Sequence, residues 1–106
     1  MEQTYSFLPD LSKLLPEIME NTVVSRSLFK DDKTDVTLFG FAAGQELTEH
    51  QSPFTAIIHI LQGEVTITLG KDTVMGQAGS WMVMPPHLPH SLRCTSKMVM
   101  LLTIIK

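Results

Sequence analysis

Short runs of Val, Ile, Thr and Phe, separated by polar or glycine-containing turns, dominate the chain from Thr22 onward. Runs of this length and composition are typical of β-strands. Turn signals such as Asp31-Asp32-Lys33 and Gly70-Lys71-Asp72 separate them. Many short strands with close turns favour an antiparallel β-barrel or double-sheet jelly roll, which removes or protects sheet edges. We predict strands near residues 22–30, 36–42, 54–61, 64–69, 73–75, 81–84, 90–95 and 98–105.

The N-terminal part has a different period. Leucine and isoleucine recur three and four residues apart between Asp10 and Glu20, which predicts a short helical turn with Asp10 or Ser12 as its cap. Pro16 limits its length. We therefore expect one domain over residues 1–106: a helical arm over 1–21 and an all-β barrel over about 22–105.

Composition excludes several classes of protein. Hydrophobic residues make up 43% of the chain and charged residues 18%, which is enough apolar material for a folded core. The net charge is −3 and the Lys and Arg residues are scattered, so we expect no nucleic-acid partner. No apolar stretch reaches the roughly 20 residues of a membrane span, and no signal peptide is evident. A lone cysteine, Cys94, cannot close an internal disulfide, so a cytoplasmic location is the default expectation.

The stretch from Gly44 to Gly63 resembles the first motif of the cupin superfamily. That motif runs glycine, five residues, histidine, one, histidine, three or four, glutamate, six, glycine. Gly44, His50 and Gly63 fall on this spacing. Ser52 stands in place of the second histidine and Ala56 in place of the glutamate. The turn residues are kept, whereas two of the three ligands are absent.

A second motif follows Gly79. In cupins it runs glycine, five residues, proline, one, glycine, two, histidine, three, asparagine. Gly79, Pro85 and His90 match, while His87 replaces the glycine and Cys94 the asparagine. The resemblance covers Gly40 to Cys94 and implies a small single-domain cupin barrel with His50 and His90 inside it.

The resemblance also implies a degenerate metal site. The usual cupin site holds three histidines and a carboxylate, and here only His50 and His90 remain. No cofactor is expected with certainty: a divalent metal such as Zn, Fe, Mn or Ni would be held weakly by this pair, with water completing its shell. We expect the two rings to face each other across the barrel. Cys94, or a glutamate from the Gln45 to Glu49 stretch, is the alternative third ligand.

We predict five residues that bind a ligand: His50, Ser52, Met84, His90 and Cys94. Alternation along a strand puts His50 and Ser52 on one face and His90, Leu92 and Cys94 on another. The simpler interpretations are hydrogen-bonded interior histidines, a buried inert thiol and methionines that fill the core. Three functions remain open: a barrel that binds a small molecule, which leads; a metal-dependent oxygenase or isomerase; and a structural or partner-binding barrel.

Two strands are apolar on both faces. In residues 54–61 one set of side chains can fill the barrel while Ile57 and Leu61 still need cover, and residues 98–105 show the same pattern. His59 shares the outward face, where a surface or interface role is expected. We predict a homodimer, and the resemblance agrees because small cupins commonly pair through such strands.

Overall fold

The computed structural model describes residues 4–106. Within this range, nine strands follow one short turn of 3-10 helix, Leu11–Lys13. The strands are β1 (Val23–Lys30), β2 (Thr34–Phe41), β3 (Glu46–His50), β4 (Thr55–Gln62), β5 (Glu64–Leu69), β6 (Asp72–Gln77), β7 (Trp81–Met84), β8 (His90–Cys94) and β9 (Met98–Ile105).

The strands form two sheets whose pairings are all antiparallel. The larger sheet has five strands in the order β1-β2-β9-β4-β7, and the smaller has four in the order β3-β8-β5-β6. The antiparallel all-β fold expected from the sequence is therefore confirmed. His50 on β3 and His90 on β8 are register partners in the smaller sheet.

The core lies between the two sheets and is filled by alternate residues of their facing strands. In β4, for example, Ala56, Ile58 and Ile60 are buried while their neighbours on the other face are not. This is the period-two pattern of a strand with one face in the core. The buried cluster comprises Phe41, Ala56, Ile58, Ile60, Val65, Ile67, Met84, Leu92, Cys94, Met98 and Met100.

The N-terminal arm contains less helix than the sequence predicts. Among the described residues of the arm, only Leu11–Lys13 forms a helical turn, and the Asp10 carboxylate caps it by accepting from the backbone N–H of Ser12 at 3.0 Å. The arm then crosses the outer face of the larger sheet. An added Cβ at Gly40 would lie 2.5 Å from Ile18 Cδ1 and 3.0 Å from Leu15 Cδ1, so a side chain there would have to displace these two side chains of the arm from β2.

Strand β3 was not predicted from the sequence. All five of its residues, Glu46–His50, are exposed and two of them are glutamates, so it shows no apolar alternation. The other eight strands match the prediction closely. No helix among residues 4–106 has the length and apolar character needed to cross a membrane.

Candidate functional site

Two histidines lie side by side at one end of the smaller sheet. His50 on β3 is the register partner of His90 on β8. Their ring centroids are 4.1 Å apart with an interplanar angle of 60°, an edge-on arrangement. His90 is only 7% exposed, whereas His50 is exposed. The rings are thus neighbours on adjacent strands of one sheet, and not partners facing each other across the barrel as we expected.

A β-bulge in β3 brings His50 to this position. Leu47 pairs with Leu92 and His50 with His90, so three steps along β3 oppose two steps along β8. Because side chains alternate across a strand, a regular β3 would place Glu49, and not His50, opposite His90. The extra residue re-aims the strand, a common use of bulges next to functional sites. No signal in the sequence indicates the bulge.

Hydrogen bonds to the backbone fix both rings. Nδ1 of His50 lies 2.9 Å from the carbonyl oxygen of Thr48, and Nδ1 of His90 lies 2.9 Å from that of Leu88. A carbonyl oxygen can only accept, so in both rings Nδ1 carries the proton and donates it. Neither Nε2 atom has a hydrogen-bond partner among residues 4–106.

Nε2 of His90 is not fully buried either. Within the described chain, every buried side-chain nitrogen or oxygen has a hydrogen-bond partner. Since this Nε2 has none, it cannot be fully buried, although the residue itself is. At this end of the smaller sheet, which we call the mouth of the barrel, the pair therefore presents two Nε2 atoms, one on an exposed ring and one on a largely buried ring.

The loop before β8 and the segment after β3 form the rim of this mouth. The backbone N–H of His87 donates to the carbonyl oxygen of Ser52 at 2.7 Å, and the Ser52 hydroxyl accepts from the N–H of Phe54 at 3.1 Å. His87 has φ 69°. It occupies the position of a motif glycine, so this chain places a side chain where the left-handed backbone favours glycine.

Two of the five predicted ligand-binding residues, Met84 and Cys94, belong to the buried core cluster. Met84 is buried in the core cluster, opposite Ala56 in the larger sheet. Cys94 shares the inward face of β8 with His90, as the alternation predicts, but four residues along a strand separate them by about 13 Å. Burial raises the pKa of the Cys94 thiol to about 11. The thiol is therefore neutral near pH 7 and lacks the thiolate that metals prefer.

The residues near the pair do not fit the metal site that the motifs imply. Within residues 4–106 no three His, Cys, Asp or Glu side chains come together in a way that could hold a metal ion. Ala56 is buried opposite Met84 and offers no ligand atom, and Glu49 is exposed. Two imidazole nitrogens without a carboxylate fall short of the three protein ligands of catalytic zinc or a facial triad.

The clefts on the surface lie outside the barrel. One cleft of about 530 Å³ opens between the arm and the outer face of the larger sheet, and Leu15, Ile18, Leu61 and Val99 are among its lining residues. Two shallower clefts lie along β3, β5 and β8, beside Arg93. A ligand of the histidine pair would thus sit at the mouth, above an interior filled by the core cluster.

Comparison with known proteins agrees with the fold. The family model of the cupin domain matches residues 37–105. A conserved protein of unknown function from Streptococcus pyogenes is 31% identical, with a TM-score of 0.86, over 98% of this chain and 90% of that one. A cupin superfamily protein from Desulfitobacterium hafniense is 28% identical, with a TM-score of 0.81, over 85% of this chain and 83% of that one.

A more distant likeness shows the fold alone. KdgF from a Halomonas species is 18% identical, with a TM-score of 0.79, over 97% of this chain and 96% of that one. No curated protein matches the chain in sequence.

Proposed function

The chain belongs to the cupin domain family, and from that premise we propose that it is a small barrel that binds a small molecule at its mouth, on His50 and His90. The observation that carries the proposal is the pair of free Nε2 atoms. Each ring is oriented through its Nδ1–H by a backbone carbonyl, which is how proteins preset an imidazole for use at its other nitrogen.

The chemistry of the pair defines what it would recognise. A neutral imidazole with its proton on Nδ1 accepts a hydrogen bond at Nε2. Two such acceptors beside each other repel unless a donor or a cation lies between them. The proposed ligand therefore offers hydrogen-bond donors, such as two hydroxyl groups, to the two nitrogens.

The two other functions named from the sequence make different demands. A metal-dependent oxygenase or isomerase needs a third protein ligand, and residues 4–106 bring none to the pair. A purely structural barrel is favoured by the packed interior, in which the methionines at 84, 98 and 100 are all buried. Ligand screening separates this last function from the proposed one.

A thermal-shift screen of small hydroxyl-bearing compounds tests the proposal. We expect at least one compound to stabilise the protein and to perturb the Nε2 resonances of both histidines in ¹⁵N NMR spectra. His50→Ala removes one of the two acceptors and should weaken the binding of such a compound about tenfold, equivalent to about 1.4 kcal/mol for one hydrogen bond. His87→Gly, which removes an exposed imidazole on the same rim, is the matched control. An equal thermal shift in His50→Ala would contradict the proposal, and a screen without hits would favour the structural barrel.

Metal removal gives a second test of the site. We expect less than one divalent ion per chain after purification, and its loss on dialysis against chelator, because two neutral imidazoles do not offset the charge of the cation. Elemental analysis before and after dialysis measures this. A stoichiometric metal that survived the chelator and persisted in His50→Ala would contradict it.

We also propose that two copies of the chain associate through the part of the larger sheet that the arm leaves open. This open face consists of the outward residues of three adjacent strands. None of them is Asp, Glu, Lys or Arg, and Trp81 is 60% exposed. A charge-depleted apolar surface with an exposed aromatic residue is typical of the centre of an interface. The open face comprises Thr55, Ile57 and His59 of β4, Trp81 and Val83 of β7, and Leu101, Thr103 and Ile105 of β9, and it is bordered by Leu61 and Val99, which line the cleft beside the arm.

The open face alone is too small for a stable dimer, so we propose that the arm contributes to the same interface. Three strands and about seven residues cover roughly 14 by 24 Å, or about 340 Å². That is less than the ~800 Å² per partner of a standard interface. Tyr5 and Phe7 of the arm are 90% and 76% exposed, and aromatic side chains can each bury about 150–250 Å².

The arm also lies on the side of the sheet that the proposed dimer would use. Leu8 lines a cleft with Val36, whose register partner Thr103 belongs to the open face. With the two aromatic residues of the arm, the area comes close to the standard size. Light scattering at micromolar concentration should give twice the 11.8 kDa chain mass, and a stable monomer would contradict the homodimer.

A further inference from the structure

His59 is the one ionisable side chain of the open face. It lies on β4 between Trp81 of β7 and Leu101 of β9, its register partners. Because Ala56, Ile58 and Ile60 point into the core, the alternation of β4 turns His59 outward. It is half-buried even in the single chain. A titratable ring thus lies near the middle of an otherwise uncharged surface.

No charge nearby compensates a proton on this ring. His59 makes no side-chain hydrogen bond or ion pair with any of residues 4–106. The neighbouring strands offer only uncharged side chains on this face. The flanking charges lie at its borders: Asp10 and Glu17 of the arm and Lys97 line the cleft beside Leu61, and Lys106 beyond the end of β9 is paired with Asp35 at 3.0 Å.

We propose that His59 makes the association of two copies pH-dependent, so that the protein is a dimer at neutral pH and dissociates in mild acid. The inference rests on the proposed homodimer. A neutral imidazole fits between two apolar surfaces, whereas an imidazolium that is taken out of water without a partner is costly. Histidine is the side chain that gains its charge between about pH 8 and 5.

Symmetry makes the effect larger. In an isologous dimer both copies contribute the same patch, so two His59 rings enter one apolar layer. Dissociation lets each ring take up a proton, and the monomer is therefore favoured as pH falls. Each dimer that dissociates would take up two protons, one per subunit. Once the pH is low enough for the free monomer to be protonated, the dissociation constant would therefore rise up to about 100-fold for each further pH unit. We expect at least a tenfold rise between pH 8.0 and 5.5.

Sedimentation equilibrium of the full chain at pH 8.0 and 5.5 tests the inference, with circular dichroism to show that the protein stays folded at both. The dissociation constant of the protein without substitutions should rise at least tenfold from pH 8.0 to pH 5.5. His59→Gln, which stays neutral, should dimerise at pH 8.0, and its dissociation constant should rise little or not at all at pH 5.5. His87→Gly, which removes an exposed histidine away from the open face, should keep the tenfold rise.

Other results would contradict either the role of His59 or the homodimer itself. A dissociation constant that does not change with pH in the unchanged protein, or a change that persists in His59→Gln, overturns the role of His59 and leaves the homodimer intact. A monomer at pH 8.0 overturns the homodimer and this inference with it. If His59→Gln fails to dimerise, His59→Phe replaces it as an uncharged ring, and a pH-dependent dimer of that variant overturns the inference.

Discussion

Replacing Gly63 with alanine should destabilise the protein by more than about 4 kcal/mol, among the largest effects of a single substitution. Gly63 joins β4 to β5 with φ 87°. A Cβ there would overlap the carbonyl oxygen of Lys97 and lie 2.9 Å from Met98 Cα. Both obstacles are backbone atoms of the chain that enters β9, so no rotamer change can make room.

Gly79→Ala is the matched control for this substitution. Gly79 also has positive φ, 96°, but nothing lies within 4 Å of its added Cβ. It should therefore lose only the conformational term, about 1–2 kcal/mol. Urea unfolding of the two variants measures the difference. Equal losses would show that backbone conformation alone, and not the contact with β9, makes glycine necessary at position 63.

Met98→Ala should cost about 2–5 kcal/mol, the range for truncating a fully buried methionine. Met98 is completely buried at the start of β9, opposite Phe41, and belongs to the cluster between the sheets. Truncation removes its contacts and leaves a cavity that the two sheets cannot close. For a domain of this size the loss corresponds to a fall in Tm of at least about 8 °C.

Met75→Ala and Met98→Leu are the controls. Met75 is exposed on the edge strand β6, so its truncation should change stability by less than about 0.5 kcal/mol. Leucine keeps most of the volume at position 98 and should cost less than about 1.5 kcal/mol. A Met98→Ala variant as stable as Met75→Ala would indicate an open interior, in which the methionines line a pocket and do not fill the core.

The sequence predicted the strands that have a buried face. β4 and β9 carry strong apolar patterns, and each was predicted to within a residue or two of its observed bounds. β3 could not be found in this way, because Glu46–His50 is held by its backbone pairing with β8 and buries no side-chain stripe. The helix period before Pro16 produced only the short turn Leu11–Lys13, and Leu15 packs beside Gly40 of β2 from a segment without regular secondary structure.

Motif spacing predicted part of the candidate site. Spacing identified His50 and His90, and alternation put His90 and Cys94 on the same face of β8. Cys94 and His90 face the same side of β8, but their separation of four residues along the strand keeps Cys94 away from the pair. The positive φ of His87 lies where the motif has glycine, whereas the two Nδ1 bonds depend on backbone geometry that no residue pattern encodes.

The bulge in β3 means that strand register, and not residue identity alone, sets the charge of the site. Glu49 and His50 are adjacent, and only the extra residue between Leu47 and His50 decides which of them lies opposite His90. A slip of one residue would flatten the bulge and replace the imidazole with a carboxylate. The neutral nitrogen pair would then become a nitrogen and an anionic oxygen, a set suited to harder cations. An edge strand without buried anchors thus carries the residues for two different chemistries, and its backbone selects one.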